Sequence, residues 1–162
     1  MSEEKRPVAE ILSEGALKVS FEDLSEKNIR ICKDKLLDNI GNLAGGALAF
    51  GNREVLHVLD TYGEKKEAPI FLLGGKAALG DAAMVNAMSA RSNDFEPMFM
   101  NIDGLRMPSK ESATLINAVL TAGAVYGFSG KDYITHEVVG EDLSVRIMAA
   151  GGRWNFTVGW DS

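Results

Sequence analysis

The stretch "PSKESATLINAVLTAGAVYGFSGKD", Pro108 to Asp132, decides the fold class. From Ala113 to Tyr126 it carries no charged residue. Pro108 and Ser109 form a helix start and "GFSG" a stop, which predicts a helix over Lys110–Tyr126. A helix that is apolar all round is a central one and needs neighbours on every side. The next segment begins with Ser129 and Asp132 in a capping-box spacing, with Asp in place of the usual Glu. It predicts a helix over Lys131–Ala150, with Ile134, Val138, Val145 and Met148 inward and Asp142 and Arg146 paired on the outside.

Working outward, Ile29, Cys32, Leu36, Ile40, Leu43 and Ala47 recur at three- and four-residue steps, one face of a helix over Lys27–Ala49. Its end, "LAGGALA", invites close approach of another backbone, because small side chains leave room for one. Gly45 and Gly46 lower helix propensity there. Val8–Val19 can form an earlier helix. "NREVLHVLDTYG" reads as a short helix with Asn52 as its cap and Gly63 at its end. "APIFLL", Ala68–Leu73, is flanked by turn signals and reads as extended. A helix over Ala77–Ser92 follows. The expected architecture is mainly α, a single helical-bundle domain with at most one short extended segment.

Totals narrow the function. A chain of 162 residues supports one domain with a real core. A net charge of −6, with no clustered basic face, argues against nucleic acid as a partner. No apolar run approaches the roughly 20 residues needed to span a bilayer, so no membrane partner is expected. "MSEEKRPVAE" lacks a signal-peptide core, and a cytoplasmic location is the expectation. Cys32, the single cysteine, reads as a buried bystander. "LLGGKAALG" lacks the full phosphate-loop pattern, and no Ser sits in a G-x-S-x-G elbow. His57 and His136 lie on separate predicted helices with no metal-ligand spacing. Glu137 and Glu141 share a helix face, which reads as a solvated acidic face rather than a cation site. No metal and no cofactor are expected.

One connector stands out: "ARSNDFEPMFMNIDGLRMPS", Ala90–Ser109, joins two apolar segments yet holds Asp94, Glu96, Asp103, Arg91 and Arg106. Asp94 follows a helix of small residues, at the rim of a packed core. Burial there would favour the protonated acid and suit it to proton transfer. Arg91 and Arg106 can hold a carboxylate by paired hydrogen bonds. The plainer alternative is a long turn, with Asp94 as a cap and the arginines paired with Glu96 and Asp103.

The order of "KLLDNIGNLAGGALAFGNREV", "APIFLLGGKAALGDAAMVNAMSARSNDFE" and "MPSKESATLINAVLTAGAVYGFSGKDYITHEVVGEDLSVRI" resembles the N-terminal helical domain of the MmgE/PrpD family. That family includes 2-methylcitrate dehydratase, cis-aconitate decarboxylase and iminodisuccinate epimerase. The resemblance implies a cofactor-free lyase or isomerase that abstracts a proton next to a carboxylate of a small di- or tricarboxylate. By position, Asp94 matches the first Asp of the family's D-F-D-D and would be the catalytic acid–base. Asn86 matches the helix Asn. Asn86, Arg91, Arg106 and Ser109 would bind substrate, while Gly140 and Arg146 match positions that look structural.

The departures matter as much. By the resemblance, Met107 stands where the family has the His of H-P-S, Arg91 or a neighbour where it has the helix-end His, and Asn155 near a later His. Methionine cannot carry a proton, and asparagine is no base near neutral pH. The resemblance also implies a second α+β domain in the family, which is expected to lie outside this sequence. A homo-oligomer, or a partner chain supplying that domain, is therefore expected, with Trp154 and Trp160 partly uncovered and marking an interface or a liability. The alternative function is a non-catalytic helical oligomerisation or binding module, or a truncated family member.

Overall fold

The computed structural model describes residues 6–63, 65–95, 99–102, 105–108 and 112–151, with only backbone pairing described over 99–108. The mainly α class holds. Six helices are described: α1 (Val8–Ala16), α2 (Glu26–Gly46), α3 (Asn52–Tyr62), α4 (Leu79–Arg91), α5 (Ser112–Tyr126) and α6 (Gly130–Gly151). A single 3-10 turn, Phe21–Asp23, precedes α2.

Helix α5 is the axis of the packing. On one side, α3, α4 and the segment around Ala68–Ala77 enclose a core of Ala68, Ile70, Ala77, Ala82 and Val85, which Val125 of α5 joins. On the other, α2 and α6 close around Cys32, Tyr133 and Ile134 with Val119 and Leu120 of α5. Leu43, Ala90 and Ala113 join α2, α4 and α5. The expectation of complete cover is met in part, since Thr114 and Ala118 on one edge of α5 are exposed.

The extended content exceeds one segment. β1 (Ala68–Pro69) pairs antiparallel with β2 (Lys76–Ala77), and β3 (Phe99–Ile102) with β4 (Leu105–Pro108). Between β1 and β2 the chain turns through Leu72, Gly74 and Gly75, all at positive φ. Within "APIFLL", only Ala68 and Pro69 are therefore strand.

Three local expectations need correction. Gly51, at φ 97°, is the residue that precedes α3, and Asn52 is not its cap. The Asn52 side chain is buried and donates instead to the Gly46 carbonyl at 2.8 Å, serving the open end of α2. Ile40 is half exposed, and the inward position on that turn belongs to Asn39. Glu137 and Glu141 are not on a solvated face: Glu137 is 1% exposed, and the Glu141 side chain 14%. They lie three and seven residues beyond Ile134, on the inward stripe of α6.

Four other expectations hold: the close approach at Gly46, the Ser129–Asp132 capping box, the Asp142–Arg146 pair and the burial of Cys32. A Cβ on Gly46 would stand 1.9 Å from the Ser89 carbonyl oxygen, so α2 and α4 meet at the small-residue end as expected. The Ser129 and Asp132 side chains each bind the other's backbone N–H, at 3.2 and 2.8 Å. Arg146 Nε lies 2.6 Å from Asp142 Oδ2 on the exposed side. Cys32 is buried, and burial pushes its thiol well above the usual range. Among the described residues, no helix is long and apolar enough to cross a membrane.

Candidate functional site

Helices α4 and α5 run antiparallel, with Asn86 level with Thr121 and Ala90 beside Ala113. The C-terminal end of α4 therefore sits beside the N-terminal end of α5. A cleft of about 630 Å³ opens along this pair, lined by Phe50, Met84, Met88, Arg91, Ser92 and Thr114 among others. Arg91, the last residue of α4, is half-buried in its wall. Its cation suits the negative end of the helix dipole, which is reason enough for an arginine there without any ligand.

Asp94 lies three residues further on. Its N–H donates to the Arg91 carbonyl at 3.0 Å, and its φ is 54°. Aspartate tolerates the left-handed region better than most residues, so the acid also shapes the turn that leaves α4. Its side chain is exposed rather than at a buried rim, which corrects the expectation of burial. Arg91 and Asp94 thus mark the two ends of one turn.

Asn86 stands apart. It is fully buried, its Oδ1 accepts from Phe71 N at 2.8 Å, and its Nδ2 donates to Pro69 O at 3.1 Å and Thr121 Oγ1 at 2.9 Å. Both amide hydrogens and the oxygen hold the β1–β2 turn against α4 and α5. The residue therefore supports the site from inside, and no polar atom of it faces the cleft. Arg106 lies in β4 with its Cα opposite Asn101, and Met107 is opposite Met100. Ser109, Glu96, Asp103, Asn155, Trp154 and Trp160 fall outside the described residues.

From Asn86 a chain of buried polar groups continues that the sequence reading did not single out. Thr121 Oγ1 donates to Asn117 O at 2.6 Å. Asn117 and Asn39 exchange amide hydrogen bonds at 3.0 and 3.3 Å, and Asn117 also donates to Ala113 O. The signal was present: Asn117 and Thr121 are polar residues four apart in the otherwise apolar stretch Leu115–Val125 of the helix. Such a network is strong only when its members are satisfied, and this one ties α2, α4 and α5 into one register.

A second polar cluster sits between α2 and α6. Lys35 Nζ is 2.9 Å from Glu141 Oε2 and donates to Ser112 Oγ at 3.3 Å. Glu137 lies behind it, beside Cys32 and Tyr133, and burial pushes its carboxyl above the usual range. The two histidines stay out of both clusters. His57 is exposed, and His136 stacks on Phe128 with ring centroids 4.6 Å apart. Among the described residues, no group of three or more His, Cys, Asp or Glu side chains could hold a metal ion.

No curated protein and no solved structure matches the chain. The family described as the MmgE/PrpD N-terminal domain matches residues 10–162, nearly the whole sequence. With its small-residue contact between α2 and α4, its central α5 and the Asp94 turn between them, the chain belongs to the MmgE/PrpD family, within the N-terminal domain.

Proposed function

We propose that this domain forms part of a cofactor-free site for a small di- or tricarboxylate, with chemistry of the lyase or isomerase kind. The observation that carries the reading is the junction of α4 and α5. There a half-buried Arg91 lines an open cleft, and Asp94 stands one turn beyond it. Arginine presents a planar fork of donors that matches a carboxylate. The positive end of the α5 dipole lies beside it and favours the same charge. In this reading Asp94 takes the proton next to the bound carboxylate, and the family resemblance assigns the remaining carboxylates to Arg106 and Ser109. Loss of water, loss of carbon dioxide or reprotonation would complete the reaction.

A second reading has its own support. By the family resemblance, Met107 stands where a proton-transferring histidine is expected, and Arg91 or a neighbour where another is. The domain would then bind an acid without converting it, as a binding or oligomerisation module.

Calorimetric titration with citrate, cis-aconitate and aspartate tests both. Binding should weaken by roughly tenfold or more in Arg91→Met, the loss of one charge-assisted pair. Asp94→Asn should bind within a few-fold of the parent and show no turnover. Acid binding that depends on Arg91 but yields no product in the parent protein selects the module. No binding at millimolar acid, with Arg91→Met silent, removes the carboxylate site altogether.

A further inference from the structure

Among the described residues, the α2–α6 cluster contains more acid than its one cation can neutralise. Glu137 is 1% exposed, and Glu141 shares its face one turn later. The groups facing Glu137 are Cys32 and Lys35 from α2, and Tyr133 and Glu141 from α6. Helix α5, packed against the same core, has no charged residue between Ser112 and Tyr126. Lys131 is exposed and lies on Glu22, and His136 is exposed and stacked on Phe128. Among the described residues, Lys35 is thus the cation at the cluster, and it is already engaged by Glu141 and Ser112.

Among the described residues, three oxygens of the cluster are buried without a well-aligned hydrogen-bond partner: Glu137 Oε2, Glu141 Oε1 and the Tyr133 hydroxyl. The Tyr133 hydroxyl and the Cys32 thiol lie close enough to Glu137 to offset part of the cost of burying its charge, but burial outweighs them. A second buried carboxylate with no counter-ion would be severely unfavourable, and a group in that position keeps its proton instead. A neutral Glu137 removes the excess charge. It also brings an O–H donor to a cluster whose unpaired oxygens include the acceptor-only Glu141 Oε1.

We propose that Glu137 is a neutral carboxylic acid at neutral pH and acts as a proton-held latch between α2 and α6. While the proton is present, Lys35 remains on Glu141 and on Ser112, the first described residue of α5. When it leaves, two buried carboxylates compete for one ammonium group. Lys35 is drawn towards Glu137, its contact with Ser112 is released, and α6 loosens from α2. The latch reaches the candidate site through α5, whose first turn borders both Lys35 and the cleft.

The sign of the pH effect follows. The folded protein holds this proton more tightly than the unfolded chain does. The associated stability is fully present below the ordinary glutamate range. It is lost progressively as pH rises towards the raised value of the folded state. Thermal melting of the whole chain and of Glu137→Gln, from about pH 5 to about pH 9, reads this directly. Gln mimics the neutral acid, so the two proteins should melt together at the acid end. Over the titrating range the gap in favour of the variant should widen by roughly 3 °C per pH unit.

A variant that melts lower by the same margin at every pH, or that fails to fold, overturns the latch. Infrared spectroscopy of the unaltered protein is independent of any substitution. It should show the carbonyl stretch of a neutral carboxylic acid near neutral pH, where exposed carboxyls are ionised. Absence of that band also overturns it.

Discussion

Asn39 and Asn117 show how a single side chain can be worth more as half of a pair. Each is buried, and each amide satisfies the other across the α2–α5 contact. Removing one partner leaves the other without its bonds in a site where water cannot replace them. Asn39→Leu should therefore lower stability by about 1–3 kcal/mol, read from urea denaturation midpoints. Asn39→Leu with Asn117→Leu should lose clearly less than the sum of the two single changes, because the orphaned amide is gone. Additive losses would mean that the pair is not coupled. Glu137 makes the opposite point about legibility. Its type argues for solvent, and the sequence reading put it there. Its position, between Ile134 and Glu141 on the inward stripe of α6, argues for burial, and position won because α2 covers that stripe.

At the scale of elements, the α2–α4 contact rests on one missing side chain. A Cβ at Gly46 would stand 1.9 Å from a backbone carbonyl and 3.0 Å from the Ser92 Cβ, and a carbonyl in a helix cannot swing aside. Gly46→Ala should cost about 1–3 kcal/mol or more, despite the better helix propensity of alanine, as measured by a fall in Tm. Gly41, on the same helix with open space where a Cβ would go, provides the control. Gly41→Ala should be neutral or slightly stabilising. The helices themselves were largely legible, because three- and four-residue spacing survives without knowledge of partners. The cap of α3 was not. Asn52 is a good capping residue by type, but Gly51 adopts a left-handed φ and takes the preceding position. This frees the Asn52 amide to serve the end of α2.

Across the whole molecule, Cys32 is a reporter already in place. It lies 2% exposed between α2 and α6, with its thiol held protonated by burial. In the native protein its reaction with a thiol reagent should be slower than in denaturant by roughly a thousandfold or more, since labelling requires the bundle to open. Ready labelling under native conditions would mean that α6 leaves α2 far more easily than the packing implies.

The sequence by itself determined the helical class, the central place of α5, the close contact at Gly46 and the family resemblance. Each of these depends on periodicity, residue size or motif order along one chain. Tertiary structure alone decided that Asn86 faces the core, that Asn52 serves a helix other than its own, and that Glu137 is buried behind the Lys35–Glu141 ion pair. Those outcomes depend on which groups from distant segments arrive at the same place. A polar side chain's role is set by the partner that reaches it, and no spacing along a single helix specifies that partner.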